Sequence, residues 1–317
     1  MAELLINPIH NVHKKYREMI FLNPYRFETG VLDGQFQATF FLSSSVLQML
    51  KSSDFGSNFA QTTPWGMAGY ALKNGVISSN GEIIYIADSN GNQHKSVNGG
   101  ANFAVILLSS LSIGISDDAK YIARGTADGV FVSNDFGVTW TNTLAVKTNM
   151  VCVSYSGQYM LAVLNAQPYV SSNYGVSWTQ FGTSKNYQSC AMSLDGKYMI
   201  GVAYNSTLSY SSDFGATWAN KGISQQLYTC AISNDGQHIV MGGNTFIRVS
   251  NDGGATWADK GINLNTWFYS AISGNGQYMM VSNVNSSVVY KSNDFGATWA
   301  TFGIASFYKA VVINRIL

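Results

Sequence analysis

The side chains best suited to chemistry are few. Seventeen are acidic, and only four of those are glutamates, Glu3, Glu18, Glu28 and Glu82, with none beyond position 82. Two carboxylates facing each other across a glycosidic bond can hydrolyse it, one as acid and the other as nucleophile or base. Outside a repeated motif taken up below, the aspartates are Asp33, Asp88, Asp117, Asp118, Asp128, Asp195, Asp235 and Asp259. Most fall in expected hairpin turns, where Asp serves the backbone. Asp88 and Asp128, near the ends of expected strands, are the one pair to test as a catalytic couple. The four histidines, His10, His13, His94 and His238, show no zinc-binding spacing. Cys152, Cys190 and Cys230 form no Cys-x-x-Cys pair. Cys190 and Cys230 each lie six residues before a turn glycine, Gly196 and Gly236, and Cys152 is one residue out of step. Such placement in apolar strands predicts buried small hydrophobes, and the odd count argues against a disulfide scaffold. Gly99-Gly100 and Gly242-Gly243 sit in strand–turn contexts, not in a phosphate loop. No metal and no cofactor is expected.

The elements that must carry these residues are repeats. Ser-Asn-Asp-Phe-Gly-Val-Thr-Trp occupies 133–140, and close copies begin at Ser171, Ser211, Ser250 and Ser292. Degenerate copies begin at Ser52 and Ser96, with Phe59 and Phe103 in place of Trp. A second signal keeps the same period: Asn80-Gly81, Ser156-Gly157, Asp195-Gly196, Asp235-Gly236 and Asn275-Gly276, with Asp117-Asp118-Ala119 in the third repeat. Asp-Gly and Asn-Gly favour tight hairpins, because both central residues need positive φ. In the sixth repeat, strands are expected over 227–233, 237–242, 246–250 and 255–260. Four short strands per unit of about 40 residues is the pattern of a propeller blade. The fold expected is all-β: a seven-bladed β-propeller over 25–317, with a short arm over 1–24. Ser306–Ile313 reads as an inner strand that closes the ring on the first blade. Tyr25–Leu32, before the Asp33-Gly34 turn, competes for that place, and the C-terminal strand is favoured.

Composition limits the partners. Charged residues make up 11% of the chain, against roughly 25% in ordinary soluble domains. The net charge is +1 and no basic run exceeds Lys14-Lys15, so nucleic acid is not an expected partner. The start of the sequence has no basic, apolar leader, and runs such as Ala104–Leu108 are too short to cross a bilayer. Synthesis in a cytoplasm without membrane insertion is expected.

The seven boxes resemble the Asp-box, or bacterial neuraminidase repeat, Ser-x-Asp-x-Gly-x-Thr-Trp. The resemblance implies turns between the third and fourth strands of each blade. The acceptor residues would be Asp54, Asn98, Asp135, Asn173, Asp213, Asp252 and Asp294, each bonding its own turn. Trp140, Trp178, Trp218, Trp257 and Trp299 would wedge between blades. Recurrence in every blade makes these residues structural. Sialidases carry such boxes, but they need three arginines, a Tyr–Glu pair and an acid/base Asp. Here the only arginines are Arg17, Arg26, Arg124, Arg248 and Arg315, and no glutamate lies in a middle blade. The expectation is therefore no enzyme, with a divergent glycoside hydrolase as a secondary alternative.

Five boxes place an aromatic residue just before the glycine: Phe55, Phe136, Tyr174, Phe214 and Phe295. Packing on the neighbouring blade is its expected role, and a partner-binding rim is the functional alternative. In the arm, Val12, Tyr16 and Met19/Ile20 fit a short amphipathic helix. Asn23-Pro24-Tyr25-Arg26-Phe27 resembles a segment near the start of tailed-phage virion proteins. That resemblance implies a virion protein made in the host cytoplasm, docked to other virion proteins through the arm. Its propeller would face outward, toward host-surface glycan or another virion protein. The competing class is a cellular Asp-box lectin or assembly factor, cytoplasmic in location.

Overall fold

Short apolar segments broken by turn residues give strands wherever the computed structural model describes the chain. The described residues are 39–43, 49–51, 60–62, 72–77, 83–88, 92–98, 102–106, 110–148, 150–163, 167–243, 245–262, 268–283, 288–303 and 308–313. The arm, Tyr25–Leu32, the first box with Asp54 and Phe55, and the Asn80-Gly81 turn lie outside them. Among the described residues there are twenty-eight strands and no helix.

The strands form seven four-stranded antiparallel sheets. The second blade is typical, running Leu72–Ile77, Ile84–Asp88, Gln93–Ser96 and Ala104–Ile106 from the inner to the outer edge. The inner strands of the next five blades are Ser112–Ile115, Met150–Val153, Tyr187–Met192, Leu227–Ile232 and Phe268–Ile272. Each packs on its successor. The first blade comprises Thr39–Ser43, Met49–Lys51 and Ala60–Thr62, with Tyr308–Ile313 as its inner strand. Thr39 lies opposite Ile313 and Phe41 opposite Val311. Tyr308–Ile313 also packs against Phe268–Ile272 and Leu72–Ile77, so the circle closes through the C-terminal strand, as favoured above.

In the sixth blade the first strand ends one residue early, at Ile232, and two others differ more from expectation. The second begins at Ile239, because the Gln237 N–H donates to Asp235 Oδ1 at 2.9 Å and holds that residue in the turn. The fourth is only Ala258–Asp259. Residues 255–257 stay in the box turn, where the Thr256 N–H donates to Asp252 Oδ1 at 2.8 Å.

The core lies in the seams between blades. Val132, Val151, Val153 and Met160 fill the seam between third and fourth blades. Burying one such side chain contributes about 1.5–3 kcal/mol. Backbone bonds tie the hairpin turns around the circle: Asp117 N–H donates to Tyr155 O, Tyr155 N–H to Leu194 O, and Asn234 N–H to Gly274 O, at 2.8–2.9 Å. At Gly236 the φ is +72°, and a Cβ there would collide with the Tyr198 ring of the preceding blade. Only glycine meets both demands.

All three cysteines are buried and free, as small hydrophobes would be. The one-residue offset of Cys152 has a geometric result. Successive residues of a strand face opposite sides. Cys230 faces back toward Ser189 of the preceding blade, and Cys190 faces back likewise. Cys152 faces forward, and its Sγ lies 2.8 Å from Cys190 Sγ.

Candidate functional site

Each complete box is a closed hydrogen-bond circuit. In the fifth blade, Ser211 Oγ donates to Asp213 Oδ1 at 2.8 Å and accepts from the Gly215 N–H at 2.9 Å. Thr217 donates both its N–H and its hydroxyl to the Asp213 carboxylate. The Trp218 indole donates to Gly215 O at 3.0 Å. Asp135, Asp252 and Asp294 repeat this pattern. Asn173 keeps it with an amide, accepting the Ser177 N–H and donating to Ser177 Oγ, both at 2.9 Å. Asn98 accepts from Ser96 Oγ and from the Asn102 N–H. Hydroxyl donation by Thr139 and Thr256, followed by their backbone N–H bonds, holds Asp135 and Asp252 down to about 2. The same causes lower Asp213 and Asp294. These groups stay ionised and turned toward their own turns, so they anchor the backbone.

The tryptophans reach across seams. Trp218 stacks on Phe181 of the preceding blade, with ring centroids 3.6 Å apart and planes 7° from parallel. Trp178 donates its indole N–H to Thr143 Oγ1 of the preceding blade at 3.0 Å. Trp140 packs on the cluster that holds Val76 and Tyr85 of the preceding blade, and the Arg124 guanidinium of its own blade, whose pKa burial lowers, lies 4.9 Å from its ring. Trp257 and Trp299 pack against the clusters of neighbouring seams.

The aromatics before the box glycines occupy an unusual backbone. Phe136, Tyr174, Phe214 and Phe295 all have left-handed φ, between 58° and 61°. Each is 38 to 48% exposed. Three also pack on the preceding blade: Phe214 stacks on Tyr159 at 4.8 Å, and Tyr174 and Phe295 lie tilted against Tyr121 at 4.5 Å and His238 at 4.9 Å. These three rings thus pack on the neighbouring blade and still keep more than a third of their surface in solvent. The carbonyls beneath are held from the preceding blade. Tyr85 and Lys95 donate to Phe136 O, Lys221 to Gly253 O and Asn251 to Phe295 O.

Tyr121, Tyr159, Tyr198 and His238 were not marked as site residues in the sequence. Each lies against the turn glycine of the following blade, Gly157, Gly196, Gly236 and Gly276. The legible signal was an aromatic recurring two residues after the turn glycine, as in Gly157-Gln158-Tyr159.

Asp88 and Asp128 sit in opposite environments. Asp88 is fully buried beneath its turn, accepting from Asn92 N–H at 2.9 Å and Asn92 Nδ2 at 3.0 Å, with His94 Nε2 at 3.1 Å. Asp128 is exposed in the equivalent turn of the next blade. Among the described residues no three His, Cys, Asp or Glu gather to hold a metal. An open cleft of about 420 Å³ does lie at the rim between the third and fourth blades. Tyr121, Thr139, Thr141 and Thr143 line it from one side and Tyr174 from the other.

This arrangement defines a β-propeller of seven four-stranded blades pinned by box turns. Among solved structures it resembles "YCF48 bound to D1 peptide", with a TM-score of 0.57 and 12% identity over 87% of this chain and 86% of that one. In all, 1394 solved chains match, so the architecture by itself selects no function. No family model matches the sequence, and no curated protein matches it.

Proposed function

We propose that this chain is a non-enzymatic display protein of a tailed-phage virion. Its arm, residues 1–24, joins other virion proteins, and the propeller presents a surface for host-surface glycan or a further virion protein. The observation behind this reading is what the boxes leave over. Their carboxylates are committed to their own turns, while half-exposed rings remain along one rim. Such a rim offers contact area and no paired acid and base. The Asn23–Phe27 segment supports the virion assignment, and the near-zero net charge argues against nucleic acid. Mass spectrometry of gradient-purified particles should find the full chain at a fixed ratio to other virion proteins. Finding it only in the soluble fraction would refute the virion role. Glycan hydrolysis that is lost in Asp88→Asn or Asp128→Asn would refute the non-enzymatic reading.

The D1 peptide held by YCF48 favours a second reading, an assembly factor whose propeller grips a partner's peptide. Cross-linking of the full chain to a segment of another protein, with no glycan binding, would select it.

A further inference from the structure

We propose that the cleft between the third and fourth blades is a binding site for a neutral saccharide. The proposal rests on the binding role argued above and gives it a place and a ligand class.

The seams differ in sequence at one position, which is seen to fill two of them. It lies three residues after the last box residue, Trp in most blades and Phe103 in the second. In successive blades from the second it holds Ile106, Thr143, Phe181, Lys221, Lys260 and Phe302. Phe181 fills its seam by stacking on Trp218. Lys221 crosses its own, 3.9 Å from the Tyr210 ring centroid and bonded to Gly253 O. Thr143 is the shortest of the six side chains, and its seam holds the cleft.

The chemistry exposed there is uncharged. Thr139, from the box turn, and Thr141 and Thr143, from the strand Thr141–Leu144, all present their side chains to the cleft. Thr143 Oγ1 accepts from the Trp178 indole, which leaves its own proton to donate outward. Thr139 gives its proton to Asp135 and keeps acceptor capacity. Asn134 adds an exposed amide at the edge. Tyr121 and Tyr174 supply the aromatic wall. No charged side chain lines the cleft, and the two charges that flank it, the Lys120 ammonium 5.3 Å from the Tyr121 ring and the Asp135 carboxylate bonded to Thr139, are opposite in sign, so no net charge is offered to a carboxylate, sulfate or phosphate on a ligand. Aromatic faces beside hydroxyls match a ligand with C–H faces and many hydroxyls. The volume, about 420 Å³, falls in the range of small-molecule sites.

The test uses the full chain on an array of neutral, sialylated and sulfated glycans, followed by saturation-transfer NMR with maltotriose and chitotriose as defined neutral probes. Neutral glycans should be retained. Thr143→Phe, which fills this seam as Phe181 fills the next, should weaken them about tenfold or more. Tyr174→Asn, which removes the ring but suits the left-handed backbone, should do the same. Asp128→Asn, outside the cleft lining, should bind as the unaltered chain does. Neutral binding that survives Thr143→Phe would place the site elsewhere and leave the binding role standing. Retention of charged glycans alone would refute the ligand class. Failure to bind any glycan would refute this site together with the glycan-binding part of the proposed role, while particle incorporation would still be decided by mass spectrometry.

Discussion

Gly236→Ala should cost far more stability than an alanine at another left-handed glycine. Gly236 has φ +72°, and its added Cβ would overlap Cγ and Cδ1 of Tyr198 and lie 2.8 Å from Cε1. The left-handed conformation costs an L-residue about 1–2 kcal/mol. Forcing a methyl into a filled seam costs about 1–3 kcal/mol more. The sum is about 2–5 kcal/mol. Gly261 is the control: φ is +65°, and a Cβ there would meet nothing within 4 Å. Gly261→Ala should therefore show only the backbone part, about 1–2 kcal/mol. In a Tyr198→Ala background the ring is gone, and the excess cost of Gly236→Ala should vanish, which a double-mutant cycle reads directly. Urea unfolding followed by tryptophan fluorescence gives each midpoint. Equal costs at 236 and 261, or a cost at 236 that survives Tyr198→Ala, would show that the ring–turn contact does not clasp the blades.

Further expectations concern the boxes and the thiols. Asp135 and Asp252 are held near 2 when folded, against about 3.9 in an unfolded chain. Their contribution is thus complete above roughly pH 4 and is lost as pH falls toward 2; a urea midpoint that stays flat over that window would contradict the circuit. Asp213→Asn should change stability by less than about 0.5 kcal/mol, since Asn173 already serves a box, whereas Asp213→Ala should cost about 1 kcal/mol. Equal midpoints for the two variants would contradict the acceptor role. Cys152 and Cys190 lie close but fully buried, so diamide should leave three thiols in the folded chain when they are counted after denaturation; a count that falls to one would show that the seam opens to the reagent.

The repeat was legible because each blade must solve the same backbone problem with the same residues. Asp213 and Trp218 therefore recur in kind, and the box turns lie where that pattern put them. Strand ends were less legible, as at Ala255–Trp257, because Thr256 and Trp257 favour strand but Asp252 holds Thr256 in a turn. The aromatic clasp was visible only as an unexplained Tyr or His after each turn. Its partner, the next blade's glycine, is some 40 residues away, and spacing along the chain carries no contact information. The same holds for Cys152. Its offset stood out in the sequence, but that it turns one thiol toward another depends on strand parity and on which blades adjoin. The cleft was the least legible feature, since it arises from a small residue where neighbouring seams have a large one.

Pairing between Thr39–Ser43 and Tyr308–Ile313 bears on synthesis. A ribosome adding about 5–20 residues per second needs roughly 15–50 s to travel from one strand to the other. Throughout that interval the earlier strand has emerged with its inward edge unmatched, ready to pair with another nascent copy. Slow decoding of the last blade would lengthen this exposure without altering a single residue of the finished protein.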